Sequence, residues 1–252
     1  MLITNDEELQ KMREIGRICA RAMHAMGDAL RPGITTAELD LIGRRFLESH
    51  GAQSAPELCY QFPGATCISV NEEVAHGIPG DRVIREGDLV NIDVSAEKDG
   101  FFSDTGASFA VGKTTPKMSR LLRDGKRACW LGIGEVKTGK PLANIGKAIG
   151  SFAARNKYTL IANLASHGIG RSLHEEPTEL STWADPDETR MMEEGLVFTI
   201  EPFLSMGGQW AEDGDSEDDT WTLYSSPKAP TVQFEHTIVC TRNGPIVLTL
   251  AE

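Results

Sequence analysis

This chain repeats itself, and any fold for it has to accommodate the repetition. One stretch runs His76-Gly77-Ile78, then Leu89-Val90-Asn91-Ile92-Asp93, then Phe102-Ser103-Asp104-Thr105. A second runs His167-Gly168-Ile169, then Val197-Phe198-Thr199-Ile200-Glu201, then Phe234-Glu235-His236-Thr237. The lead-ins match as well, with Glu86-Gly87 before the first apolar run and Glu194-Gly195 before the second. Each half offers a histidine beside a short strand, a carboxylate closing an apolar strand, and a second carboxylate further on. Packed face to face, two such halves converge four carboxylates and imidazole on one spot. Charges of one sign that close cannot all ionise unless cations lie between them. The pattern predicts a metal centre.

Composition narrows the rest. The 252 residues can bury one large core and lie near the size where single cores stop growing. With 37 acidic against 25 basic residues, the formal charge is −12. That balance argues against a nucleic-acid substrate or any polyanion as main partner, and no Lys/Arg cluster stands out to supply a basic face. The five cysteines (Cys19, Cys59, Cys67, Cys129, Cys240) are odd in number and scattered, with no C-x-x-C pair. They read as reduced thiols rather than a disulfide framework or zinc knuckle. The first eight residues are acidic where a signal peptide is basic and then apolar, and no apolar run is long enough to span a bilayer. A soluble cytoplasmic protein with no membrane partner is expected.

The helical periodicities come in two pairs. Asn5 with Glu8 resembles a capping box, and Leu9, Met12, Ile15, Ile18, Ala22 and Met26 follow at helical spacing until Pro32-Gly33. Thr35 with Glu38 caps a second helix carrying Leu39, Ile42 and Phe46, closed by Gly51. Pro116 opens a third through Met118, Leu121 and Leu122, and a fourth over 142–155 carries Ile145, Ile149 and Phe152. Strand-like segments fall at 66–70, 89–94, 101–111, 158–164, 196–201, 233–240 and 245–250, with Asp99-Gly100 as a hairpin turn. The order helix, helix, strands is itself duplicated. No low-complexity linker intervenes, so one domain with internal pseudo-symmetry is expected over 1–252, its halves meeting near 115. The acidic run from Glu212 to Asp219 reads as a solvated loop.

Within this frame the acids have a reason to be where they are. Asp93 and Asp104 flank the Asp99-Gly100 turn almost symmetrically, which predicts near-opposite positions on paired strands. Cross-strand Cβ atoms lie about 4.5–5.5 Å apart, and diagonal ones about 7–8 Å. Either spacing suits carboxylates gripping ions about 3.5–4 Å apart. The period of two turns Asn91 and Asp93 away from Val90, Ile92 and Val94. Glu201 ends an apolar strand that Pro202 stops, where an unpartnered charge is costly to bury. His24 and His50 read as structural.

Several familiar patterns fail on inspection. His174-Glu175-Glu176-Pro177 lacks the second histidine of H-E-x-x-H. Gly112-Lys113-Thr114 ends like a phosphate loop, but Ala107 stands where its first glycine belongs. No G-x-S-x-G is present, and no cysteine has the context of a nucleophile.

Cys67-Ile68-Ser69-Val70-Asn71-Glu72, leading into His76-Gly77-Ile78-Pro79, closely resembles the methionine aminopeptidase pattern. So do Asn91-Ile92-Asp93, Ser166-His167-Gly168-Ile169-Gly170, His174-Glu175-Glu176-Pro177, Thr199-Ile200-Glu201-Pro202 and Gln233-Phe234-Glu235-His236-Thr237. The match runs from about residue 5 to 250. It is similar to bacterial-style type I enzymes, with no N-terminal zinc-finger extension and no room between His174 and Glu201 for the type II insertion.

The resemblance implies an α/β (α+β) pita-bread fold, two pseudo-symmetric halves of helices on antiparallel sheet around a dinuclear centre. It implies two divalent ions (Co, Mn, Fe or Zn): Asp93 on one, His167 and Glu201 on the other, Asp104 and Glu235 bridging. Water between the ions would attack the first peptide bond, releasing the initiator methionine of nascent proteins and Met-peptides with a small second residue. Glu201 would move the proton, His174 would steady the scissile carbonyl, and His76 would hold the substrate backbone. Cys59, Phe62, Cys67, Leu173 and Trp221 match positions lining the methionine pocket, a suitable set for a thioether. A monomer, working on nascent chains at the ribosome, is the partner expectation. Gln61, Cys59 and Leu173 stand where many members carry histidine, tyrosine and phenylalanine, and the Glu201–Glu235 interval is slightly long. Those departures bear on pocket shape, not on metal ligands. Xaa-Pro peptidases share the fold and the five ligands, but usually with a large extra N-terminal domain. A non-catalytic paralogue would be expected to have lost ligands.

Overall fold

The computed structural model describes residues 1–251. Helix α1 (Asp6–Ala29) starts at Asn5, whose side chain accepts the Glu8 amide. The reciprocal half of the expected box is missing, because the Glu8 carboxylate takes the amide and hydroxyl of Thr4 instead. Helix α2 (Thr36–Ser49) has the complete box between Thr35 and Glu38. A short helix α3 (Ala55–Tyr60), capped by Ser54, was not legible in the sequence, since six residues are too few to show a period. Helices α4 (Pro116–Ile133) and α5 (Ala143–Arg155) lie where the periodicity puts them.

The Leu89–Lys98 strand is the axis of the first sheet. One edge pairs with Phe101–Ala110 along its whole length, and the other with Cys67–Val70 and Gln53–Ser54. Asp99 and Gly100, at φ 53° and 79°, supply the two positive-φ positions of the tight turn. Helix α1 packs on this hairpin and α2 on α1. The second sheet is antiparallel throughout, in the order Gly244–Val247, His236–Thr241, Val197–Ile200, Ser166–Gly168, Glu175–Leu180. Helix α4 packs on α5 and on the Val197–Ile200 and Thr231–Gln233 strands. The core divides accordingly. Met12, Ile15, Ile68, Val90 and Ile92 belong to one buried cluster, and Leu121, Cys129, Ile149, Phe198 and Ile200 to another.

The sheets meet where Ala107 bridges Phe234 and the Glu235 amide donates to the Gly106 carbonyl at 2.9 Å. A Cβ at position 106 would stand 2.3 Å from Oε1 of Gln233, so a side chain there would push Gln233 off its bonds to Asn91 and Glu235. Two expected strands change shape here. Segment 158–164 keeps only Thr159–Leu160 as strand, and 233–240 is interrupted at Phe234-Glu235, which lifts Glu235 out of the ladder. Part of the acidic run is also ordered as strand: Trp210–Asp213 pairs with Leu223–Ser226, leaving only the hairpin tip as loop.

Candidate metal and active site

The Leu89–Lys98/Phe101–Ala110 hairpin aims two acids at the centre. Asp93 pairs with Gly106 and Asp104 with Ser95, so the carboxylates are diagonal neighbours rather than opposed as expected. The arms differ by two residues, six before the turn and four after it, and the period of two still keeps both on one face. That face is not the open one the alternation suggests. Asn91 is buried there and donates to Oε1 of Gln233 at 2.8 Å. From the second sheet, His167 puts Nε2 3.6 Å from Oε1 of Glu201 and 4.0 Å from Oδ2 of Asp104. Single donor atoms of Asp104, His167 and Glu235 lie within 4.8 Å of one another.

The supports of these acids come from alternate residues on the same strands. Thr199 donates to Glu201 at 2.7 Å and accepts from the His167 amide at 3.1 Å. The Gln233 side-chain amide donates to Oε2 of Glu235 at 2.9 Å. Across the seam, the Thr105 hydroxyl donates to the Glu235 carbonyl at 2.8 Å, and the Thr237 hydroxyl to the Asp104 carbonyl at 2.7 Å. Outer hydrogen bonds of this kind fix where metal-binding groups point. Yet Oδ1 of Asp104 and Oε1 of Glu235, both buried, have no partner at all. Unpaired buried carboxylate oxygens are costly unless something cationic takes them.

The electrostatics agree. Burial, with the charges of Asp104 and Glu201, pushes Asp93 well above the usual carboxylate range. Burial and the neighbouring acids do the same to Glu235. Burial raises Asp104 to about 6, and burial together with Asp104 raises Glu201 to about 8. Burial holds His167 down at about 3, so its imidazole is neutral and free to ligate. Four crowded carboxylates, a neutral imidazole and two orphaned oxygens make a donor set that fits divalent cations.

This cluster floors a cavity of about 670 Å³. Phe62, Cys67, Leu173 and Trp221 are on its wall, with Phe62 edge-on to Trp221 at 5.3 Å. Asp219 turns the acidic hairpin by accepting the Trp221 and Thr222 amides, which fixes the indole at the wall. Cys59 is a correction. It is exposed and off the wall, and its neighbour Tyr60 lines the cavity instead. Adjacent residues on a helix are about 100° apart, so only one of the two can face inward. His76, at φ 54°, and His174 also line the cavity, and the His174 ring lies 4.0 Å from that of His167.

Nothing in the sequence distinguishes Tyr60 as a site residue. Its hydroxyl lies 2.6 Å from Nδ1 of His174. Burial and the nearby His76 lower the His174 pKa and keep it neutral. A neutral imidazole accepting at Nδ1 carries its proton on Nε2, available to a substrate carbonyl. Tyr60→Phe is therefore expected to lower turnover of a Met-peptide about 10-fold, within the range for second-layer groups, with unchanged cation affinity. Steady-state kinetics beside calorimetric cation titration checks both. Gln233 and Thr199 were legible in principle, since each stands two residues from an acid on a strand and so shares its face.

The metallopeptidase family M24 model matches residues 10–242. Methionine aminopeptidase of Staphylococcus epidermidis is 47% identical over 250 residues, covering 99% of this chain and 98% of the relative. Methionine aminopeptidase 2 of Bacillus subtilis is 45% identical over 251 residues, covering 99% of each. The crystal structure of methionine aminopeptidase from Rickettsia prowazekii superimposes with a TM-score of 0.93 at 35% identity, covering 99% of this chain and all of that one. The architecture of paired helices on antiparallel sheets is thus the pita-bread one. By this match in sequence, structure and buried acid–imidazole cluster, the chain belongs to metallopeptidase family M24, among the methionine aminopeptidases.

Proposed function

We propose that this enzyme releases the N-terminal methionine of nascent polypeptides and Met-peptides whose second residue is small. The observation carrying the reading is the acid–imidazole cluster, with its two orphaned oxygens, at the floor of a cavity walled for a thioether. Two divalent ions fit best, since four carboxylates then meet four positive charges. Asp93, Asp104, His167, Glu201 and Glu235 would hold them, and oxygen-rich ligation with one imidazole accepts Mn, Fe, Co or Zn. Bound there, such ions supply Lewis-acid polarisation of a carbonyl and water activated near neutral pH.

The chain's own groups do the rest. The methionine side chain packs among Phe62, Cys67, Leu173 and Trp221, where sulfur and aromatic edges suit a flexible thioether. Glu201, held by the Thr199 hydroxyl beside His167, is placed to take the proton an attacking water gives up and deliver it to the leaving amine. The His174 Nε2–H steadies the carbonyl oxygen as charge develops on it, and His76 holds the substrate backbone. His76, His174 and Tyr60, on the same cavity wall, are the residues the second side chain would meet. One catalytic domain spans 1–252, its halves meeting near 115, and it acts as a cytoplasmic monomer on chains leaving the ribosome. No helix is long and apolar enough to cross a membrane among the described residues.

The test is hydrolysis of Met-Ala-Ser and of an Xaa-Pro peptide by cation-stripped protein, with Mn, Co, Fe or Zn added back. Cation-restored release of methionine alone is expected. Cleavage of the Xaa-Pro peptide would favour a prolidase-like activity, and no turnover of either would favour a non-catalytic binding protein.

A further inference from the structure

Helix α2 carries an acid on its core-facing stripe. Its buried positions are Thr36, Leu39, Asp40, Gly43 and Leu47, which recur at helical spacing. A carboxylate in that stripe is costly unless donors meet it. Arg44, one turn on, is not the partner. Its guanidinium makes two hydrogen bonds to Glu57 of α3, and Asp40 forms no ion pair among the described residues. The donors come instead from one short buried segment. Oδ1 of Asp40 accepts the Thr66 amide at 2.8 Å and the Thr66 hydroxyl at 2.7 Å, and Oδ2 accepts the Ala65 amide at 3.3 Å.

That segment backs the apolar wall of the cavity. Cys67 follows it directly and Phe62 precedes it by three residues, and both are on the wall. Two further contacts clamp it. The Ser54 hydroxyl donates to the Ala65 carbonyl at 2.8 Å. On the other side, a Cβ at Gly64 would stand 2.7 Å from Cδ of Pro79, in the turn that follows His76. Helix α2 holds that turn as well: the Thr36 hydroxyl donates to the Gly80 carbonyl at 3.0 Å and accepts the Gly80 amide at 2.9 Å. Thr36 and Asp40 are one helical turn apart, so a single edge of α2 fixes both chain segments.

We propose that Asp40 is a positioning residue for the methionine pocket, touching no substrate and acting through Phe62 and Cys67. The inference rests on the reading above that this cavity takes a methionine side chain. The geometry calls for a carboxylate, because both oxygens accept. An asparagine can accept from Thr66 at its one oxygen, but its NH2 group then meets the Ala65 amide, donor against donor. Relief of that conflict falls on Phe62 more than on Cys67. Strand Cys67–Val70 is tied to Leu89–Lys98, with Cys67 opposite Asp93, whereas the Phe62 ring is held only where it stands edge-on to Trp221 at 5.3 Å. The pocket therefore loosens while the acid cluster keeps its place.

The experiment is steady-state hydrolysis of Met-Ala-Ser by the cation-loaded full chain. Asp40→Asn is expected to raise KM about 10-fold and to leave kcat within about threefold, the signature of lost binding rather than lost chemistry. Calorimetric cation affinity should not change. A double-mutant cycle with Phe62→Leu separates positioning from a general structural role. If Asp40 acts through Phe62, the double variant should lose at most about twofold in kcat/KM beyond the larger single loss, whereas independent roles multiply. Thr66→Val, which removes one of the three donors, covers the case in which circular dichroism shows Asp40→Asn to fold poorly. It should give a smaller rise in KM, and Thr66→Ser, which keeps the hydroxyl, should restore the parental value. Parental KM in the folded Asp40→Asn variant, a loss of kcat at unchanged KM, or multiplying losses in the cycle would each overturn the proposal. Parental protein that releases no methionine would sink the reading above and this inference with it, while any of those three results beside normal parental release sinks the inference alone.

Discussion

Asp104→Asn is expected to abolish activity while making the cation-free protein more stable. Asp104 stands between the two sheets, within ligand distance of His167 and Glu235, and its charge helps raise the proton affinity of Asp93, Glu201 and Glu235. Removing that charge takes away part of the cation's counter-charge, a term of several kcal/mol in transition-state stabilisation. At 1.36 kcal/mol per tenfold, kcat/KM should fall roughly 10³-fold, and cation affinity should fall with it. The same change relieves like-charge repulsion in the empty cluster and lets an amide N–H meet a neighbouring carboxylate. Stability of the stripped protein should rise by about 1 kcal/mol, or about 2–4 °C in midpoint for a chain this size. Calorimetry with and without chelator, beside Met-Ala-Ser kinetics, reads both effects. A variant that loses activity and also melts lower would mean that Asp104 acts through folding, and wild-type turnover would end its role as a ligand.

Stripping divalent cations should leave a protein whose stability runs against the usual pH trend. Burial and Asp104 hold Glu201 at about 8, against an ordinary 4.5, and burial holds Asp104 at about 6, against 3.8. Between those values the folded chain binds protons that the unfolded chain does not. Stability from these groups is therefore greatest at low pH and is lost as pH rises through the folded values. Histidines oppose this below about 6.5: His167, held at about 3 chiefly by burial, and His236, at about 4 for the same reason, must stay neutral in the fold. The window in which the carboxylates dominate is thus roughly pH 6.5 to 8, where the stripped protein should melt higher as pH falls. Cation loading must expel the same protons, so affinity should rise with pH across that range. Titration calorimetry in buffers of different ionisation enthalpy would detect the release. A midpoint that climbs with pH in the stripped protein, or loading without proton release at pH 7, would contradict the protonated cluster.

How much of this was legible beforehand depended on whether a feature was local or periodic. Helices α1, α2, α4 and α5 announce themselves through caps and apolar spacing over three or more turns, whereas α3, with six residues, does not. That difference decided the pocket. Without α3 there was no reason to prefer Tyr60 over Cys59, and the helical rotation between neighbours selects Tyr60. The acids were legible for a different reason: duplication makes each a control for the other, and a charged residue ending an apolar strand needs a partner.

The chain alone carries the pairing of the two halves, the two-residue hairpin turn at Asp99-Gly100, and which acids and imidazoles had to be reconciled by a cation. These follow from chemistry carried along the chain, such as turn preference, strand period and the cost of buried charge. Only the packing of the two sheets and α3 set the break that frees Glu235 from its ladder and the contact of Tyr60 with His174. Tertiary packing also set Asp40 of α2 against the amides of Ala65 and Thr66. Those outcomes join residues tens to more than a hundred positions apart, and no local preference encodes where two distant surfaces come to rest on each other.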